Sequence, residues 1–216
     1  MKALDLFSGL GGWSDGLAAE GFEVLGVEIE PKIAALYKHP VIVADICDLN
    51  PENFRGYDLI VGSPPCRNFT TFSCVFGSTW KNPPDPEGGG MKLVNAFINF
   101  VEIAKPTYWL MENVPRLQKW YHKKPRAIVK LGKTMKRAFW GDFPAFLVPL
   151  DMTRGTLITG LKDRPNCSRN SPNLHKYVYP EWARVWEQAI IPLPVSQALG
   201  KAIRESILSS EVSQVG

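Results

Sequence analysis

From Lys2 to Val114 the chain alternates short apolar runs with segments of helical spacing, and no other feature restricts the fold as much. "KALDLF" reads as a first strand, ended by "SGLGG". "WSDGLAAEGF" follows as a helix with Trp13, Leu17 and Ala18 on one face. "EVLGVEI" is a second strand, "PKIAALYKH" a short helix with Pro31 tolerated in its first turn, and "VIVADI" a third strand. "YDLIVGS" is a fourth, and its unbroken apolar run suits a strand covered on both faces. A polar, Gly/Pro-rich stretch from Ser63 to Gly90 precedes the helix "MKLVNAFINFVEIAK" and the fifth strand "PTYWLMENV". This order predicts an α/β fold, a mostly parallel sheet with helices on both faces.

Open parallel sheets bind ligands beyond the carboxyl ends of their strands. The polar features of this sequence gather there: "FSGLGG", "EIE", "ADI", "SPPC" and "ENV" each follow a strand. Past Val114 the pattern weakens. "TMKRAFWGDFPAFLVPL" and "GTLITG" are expected to add strands, Asp163 to Tyr179 reads as loop, and "YPEWARVWEQA" as a short helix. "PVSQALGKAIRESILSS" reads as an amphipathic terminal helix.

A tight strand-to-helix turn needs residues that tolerate positive φ and let a ligand approach the backbone, which the glycines at 9, 11 and 12 supply. A plain turn has the same appearance. Glu28, some twenty residues on, ends the next strand and is placed to accept both hydroxyls of a ribose. Asp45, at the third strand end, is placed to accept from the exocyclic amine of adenine. Together they describe a nucleoside-containing cofactor, and no GK[ST] follows to make a P-loop. In "SPPC", Pro64 and Pro65 stiffen the backbone just before Cys66. Either the segment is a structural turn that contains a thiol, or it holds a nucleophile in place.

Composition removes other classes. The chain has 216 residues, enough for one domain or one with a small appendage. No apolar run is long enough for a membrane span and no basic-then-apolar leader opens the chain, so the expectation is a cytoplasmic protein without a membrane partner. Cys47, Cys66, Cys74 and Cys167 form no CxxC pair, and three His are present. Neither a metal site nor a disulfide framework is expected, and each thiol is by default a packed, inert one. The net charge is +4, yet nine basic residues from Arg116 to Arg137 run without an acid and include Trp120, Tyr121 and His122 among them. A solvated helical face and a phosphate-binding surface with aromatic groups for stacking both fit; the unbroken charge favours the second.

"DLFSGLGG", "VEIE", "ADI", "GSPPC" and "MENV" occur in the order and approximate spacing of the DNA (cytosine-5) methyltransferases, and residues 2–114 resemble that family. The resemblance implies a Rossmann-like S-adenosylmethionine-dependent methyltransferase fold and a methyl transfer to carbon 5 of cytosine. Carried over, Phe7 lies against the adenine, Gly9 and Gly11 shape the methionine pocket, and Glu28 holds the ribose. Asp45 and Ile46 flank the adenine, and Asp5, Ile29 and Pro64 complete the cofactor side. Cys66 is the nucleophile and Glu112 its partner at the base. Addition of the thiolate at carbon 6 places electron density on carbon 5, and Glu112 eases it by protonating ring N3 if burial keeps its carboxyl protonated. The target base must leave the stack to be reached. Arg67, Asn113, Lys119, Lys123, Lys124, Arg126 and Arg154 are assigned to the nucleic-acid side, Asn113 also supporting the loop geometry. The segment from Arg67 to Gly90, with four glycines, is expected either to close over the base or to be a plain surface excursion.

Three departures stand out. For the family's Gln/Arg-rich motif the sequence offers Lys136, Arg137 or Arg154, of which Arg137 is preferred. "EQAIIPLPVSQALGKAI" keeps the Pro/Val and helix of the last motif but lacks its Gly-Asn. Between these motifs the family carries a sizeable target-recognition domain, and here little more than Asp163 to Glu187 remains. The expected division is therefore a catalytic core at 1–162, a reduced recognition region at 163–190 and a C-terminal helix at 191–216 packing back on the core. It resembles a compact form of the kind met in phages or mobile elements. DNA is the expected partner, with a separate specificity or restriction subunit as a further one. The rival readings are a tRNA cytosine-5 methyltransferase and an inactive nucleic-acid-binding homologue.

Overall fold

The computed structural model describes residues 1–70, 83–131, 135–148 and 190–215. The strands are β1 (Lys2–Leu6), β2 (Glu23–Glu28), β3 (Val41–Val43), β4 (Leu59–Gly62), β5 (Tyr108–Asn113), β6 (Ala127–Leu131) and β7 (Met135–Asp142). The helices are α1 (Gly12–Ala19), α2 (Pro31–Ala34), α3 (Met91–Ala104), α4 (Gln118–Tyr121) and α5 (Leu193–Val215). The strands form one sheet in the order β3-β2-β1-β4-β5-β7-β6. The first five run parallel; β7 lies antiparallel to both β5 and β6. β1 pairs on one side with β2 and on the other with β4, so the winding reverses at β1 and opens a crevice at its carboxyl end.

Successive strand residues serve opposite faces. Ala3, Leu59, Val61, Leu110 and Phe139 belong to one buried cluster, with Trp13 and Leu17 of α1 and Val195, Leu199 and Ile203 of α5. Leu4, Leu6, Ile60, Met111, Ala138 and Trp140 belong to the other, with Val94, Phe97 and Val101 of α3. This two-sided burial accounts for the unbroken apolar runs of the central strands. On the first face α1 and α5 lie in close contact. A Cβ at Gly16 would collide with Ser196, and one at Gly12 would lie 2.5 Å from the Ile191 nitrogen. Arg204 of α5 ion-pairs with Glu20 at 3.2 Å and also donates to its carbonyl.

One alternative falls away and one expectation changes. The basic stretch is not one helical face: only Gln118–Tyr121 is α-helical, and Ala127–Leu131 is strand β6. Ala127 and Val129 pack toward the core while Ile128 and Lys130 face solvent, a period of two that the run of charges hid. "PKIAALYKH" is helical only through Ala34. "GTLITG", the Asp163 to Tyr179 segment and "YPEWARVWEQA" lie outside the described residues. Among the described residues no helix is long and apolar enough to cross a membrane.

Candidate active site

β4 ends at Gly62, and the chain turns through Ser63, Pro64 and Pro65 into a 3-10 turn, Cys66–Phe69. Two proline rings fix φ here, so few hydrogen bonds suffice to hold the turn. Asn113, at the end of the neighbouring β5, donates from Nδ2 to the Pro64 carbonyl at 2.8 Å. Its Oδ1 accepts from the Val114 N–H at 2.9 Å. Trp13 of α1 donates from Nε1 to Ser63 Oγ at 3.0 Å. The turn before the thiol is thus tied to the strand beside it and to the helix beneath it.

Glu112 precedes Asn113 on β5, and Arg137 enters from β7, where Asn113 is registered against Ala138. Arg137 Nη1 donates to Glu112 Oε1 at 3.0 Å, with the two residues 9% and 3% exposed. Burial works against the guanidinium charge, but Glu112 outweighs it and the group stays charged. Cys66 is half-buried. Burial pushes its thiol up, Glu112 pushes it further, and Arg137 pulls it back in part. The resting group is therefore a thiol at neutral pH.

On the other side of the crevice the turn after β1 takes positive φ at Phe7, Gly9 and Gly11, at 62°, 52° and 88°. Positive φ at a residue with a side chain, as at Phe7, is uncommon and tends to mark functional turns. A Cβ at Gly9 would meet nothing nearer than a carbonyl at 4.0 Å, so the backbone there is open to a ligand. Glu28 accepts from the N–H of Gly9 and of Glu30, each at 2.9 Å, which fixes its carboxylate across the turn. Ile29 beside it is 61% exposed, a bare apolar surface next to that acid. Asp45 caps the Ile46–Asp48 turn by accepting from the Cys47 N–H at 2.9 Å, with Ile46 buried below. Phe7, Gly9, Gly11, Glu28, Ile29, Asp45 and Ile46 thus follow three adjacent strand ends.

Asp5 lies under this turn and is 1% exposed. Its Oδ2 accepts from Ser14 Oγ at 2.6 Å, Ser14 is in turn hydrogen-bonded to the Tyr37 hydroxyl, and its Oδ1 is buried without a partner. Burial, with smaller contributions from Glu28 and Asp15, lifts its pKa to about 7 against the hydrogen bonds from Ser14. An acid raised in the folded state stabilises least where it is ionised. The contribution of Asp5 to stability is full below about pH 4 and falls as pH rises to about 7, by roughly 4 kcal/mol in all. Asp5→Asn is therefore expected to match the parent in urea unfolding near pH 4 and to exceed it near pH 8. Equal midpoints at both pH values would contradict this.

The remaining assignments divide. Arg67, Lys119, Lys123, Lys124 and Arg126 are exposed. Arg126 pairs with Asp142 at 3.2 Å and lies over Phe143; Lys123 lies over Tyr121. Asn113 is fully buried and its amide is engaged within the protein, so it acts on the Pro-Cys turn and has no surface for nucleic acid. Pro64 is buried. Arg154, Cys74 and Cys167 lie outside the described residues. Among those described, no group of three His, Cys, Asp or Glu is arranged for a metal. Sequence reading missed Ser14 and Tyr37 beneath Asp5 and Trp13 at Ser63. A Ser in the first turn of a helix is unremarkable in sequence, and nothing in the spacing links it to Tyr37.

The arrangement has known counterparts. The family model for C-5 cytosine-specific DNA methylase matches residues 1–137. Type II methyltransferase M1.HphI of Haemophilus parahaemolyticus is 34% identical over 126 residues, 53% of this chain and 32% of that protein. Type II methyltransferase M.HgiGI of Herpetosiphon aurantiacus is 30% identical over 125 residues, 54% of this chain and 92% of that protein. Among solved structures, the S. pombe Dnmt2 methyltransferase shares 20% identity at a TM-score of 0.44, covering 65% of this chain and 48% of that one. This chain spans less than half the length of the first curated relatives it matches. Its sheet, wound in both directions from β1, is Rossmann-like. The matched stretch runs from the first strand to Arg137, the buried partner of Glu112, and the chain belongs to the C-5 cytosine-specific DNA methylase family.

Proposed function

We propose that this chain transfers a methyl group from S-adenosylmethionine to carbon 5 of cytosine in DNA, through a covalent bond between Cys66 and carbon 6 of a base flipped out of the duplex. The observation that carries the reading is the meeting of Cys66, Glu112 and Arg137 at the ends of β4, β5 and β7, beside an acid-lined glycine turn. The cofactor suits that turn. Glu28 keeps lone pairs for ribose hydroxyls, Ile29 offers a bare surface for the adenine, and the backbone at Gly9 is uncovered. The orphaned Oδ1 of Asp5 suits the cationic methionine end, which gives a reason to keep an acid that lowers stability at neutral pH. Bound there, S-adenosylmethionine supplies a methyl group activated by its sulfonium.

The chain's own groups do the rest. As sulfur bonds to carbon 6, the Cys66 proton passes to the Glu112 carboxylate. Glu112 gives a proton to ring N3 so that the electron pair from the broken double bond reaches carbon 5, with Arg137 holding the carboxylate left behind. Carbon 5 takes the methyl. Loss of the carbon-5 proton to water then expels the thiolate, and return of the N3 proton to the Glu112 carboxylate restores the ring. The pair needs a dry site to act strongly, and the low exposure of Glu112 and Arg137 fits that need. The test is methyl incorporation from labelled donor into duplex DNA, single-stranded DNA and tRNA. Incorporation into DNA is expected. Incorporation into tRNA alone would replace DNA by RNA as substrate, and none at all would leave a binding module.

A further inference from the structure

Arg116 has no part in the chemistry above, yet its position is specific. Its turn, Pro115–Leu117, directly follows β5 and packs against both the Cys66–Phe69 turn and β7. The guanidinium carbon lies 5.8 Å from the centroid of the Trp120 ring, and that ring lies 5.5 Å from Phe69 of the Cys66 turn. The side chain is half-buried, and its Nε is fully buried without a hydrogen-bond partner among the described residues. A buried charged donor without an acceptor is costly, and the sequence puts no acid between Arg116 and Arg137 to relieve it. Trp120 contributes a cation–π contact, which holds the plane of the fork but satisfies no N–H. The Nε is closed off from solvent, so an external anion meets the Nη groups, and two phosphodiester oxygens match their spacing. Lys119, exposed on the next turn, adds positive charge on the same approach.

We propose that Arg116 holds a phosphodiester of the DNA strand next to the target base, with Trp120 and Phe69 fixing the plane of its guanidinium. It is a positioning residue, and the proposal rests on the reading that duplex DNA is the substrate. The Phe69–Trp120–Arg116 stack joins the backbone of the strand to the turn that carries the nucleophile, so the phosphate would set where the base arrives relative to Cys66.

The test is binding of the full chain to a fluorescently labelled DNA duplex, by anisotropy over a salt series, with thermal melting alongside. Arg116→Gln is expected to weaken binding roughly tenfold and to reduce the slope of log K against log salt by about 1. Arg116→Lys is expected to keep the slope and lose most of the affinity, because a point charge replaces the fork. Wild-type binding with an unchanged slope in Arg116→Gln would overturn the proposal and leave the substrate reading intact. A lower melting temperature with an unchanged slope would assign Arg116 to packing and overturn it equally. Should Arg116→Gln not fold, Arg116→Lys decides: weaker binding at an unchanged slope supports the proposal, and unchanged affinity overturns it. A wild-type chain that binds no duplex at any salt concentration would sink the substrate reading, and the proposal with it.

Discussion

Cys66→Ser is expected to reduce methyl transfer to duplex DNA by a factor on the order of 10⁴ or more, to below detection in most assays. The loss is of chemistry and not of structure. Cys66 is half-buried, Ser is nearly isosteric, and the turn is held by Asn113, Trp13 and two prolines, none of which the substitution touches. Cofactor affinity and melting temperature should therefore stay near the parent's. The covalent step has its own readout. Duplex DNA with 5-fluorocytosine in place of cytosine traps an active enzyme, because fluorine cannot leave carbon 5 as a proton does. The parent should give an adduct stable to denaturation and Cys66→Ser none. Cys74→Ser should react as the parent does. If the two serine variants lost activity alike, Cys66 would not be the nucleophile.

The second large effect is on stability. Arg137→Met removes the charge hydrogen-bonded to Glu112 Oε1, in a site where Glu112 is 3% exposed. Breaking one partner of a buried pair strands the other, at a typical cost of about 3–5 kcal/mol. For a chain of this length that is a fall in melting temperature of roughly 6–20 °C. Glu112→Gln in the same background should recover part of it by removing the stranded charge, while leaving activity lost. Urea unfolding of the two single variants and the double one gives the coupling directly. Additive losses would mean that the 3.0 Å contact contributes no specific coupling.

Much of this site is legible in the sequence because strand ends in a parallel sheet share one rim. Once β1, β2, β3, β4 and β5 are recognised, Phe7, Glu28, Asp45, Cys66 and Glu112 must fall on that rim, wherever they stand in the chain. The side-chain links between elements are not legible in that way. Trp13 reaches Ser63 across 50 positions, and Ser14 reaches Tyr37 across 23; each contact depends on how helices settle on the sheet and not on a spacing. β6 was hidden for a different reason. Its period of two lies inside a run of Lys and Arg, where charge dominates the pattern and only Ala127 and Val129 mark the inward face. Arg137 lay between, since a lone basic residue in an apolar strand suggests a buried partner without saying which acid provides it.

The packing of α1 against α5 also governs the order in which the protein can be made. Arg204 and the residue it grips, Glu20, are 184 positions apart. A ribosome adding about 5–20 residues per second needs on the order of 10–40 s to pass from one to the other. For most of that interval the first helix has emerged with Trp13 and Leu17 lacking the Val195, Leu199 and Ile203 that later cover them. The nascent chain thus offers an apolar stripe beside its glycine turn, a natural hold for a chaperone. The turn gains its backing late, so the capacity to bind a cofactor should appear abruptly, once α5 has emerged.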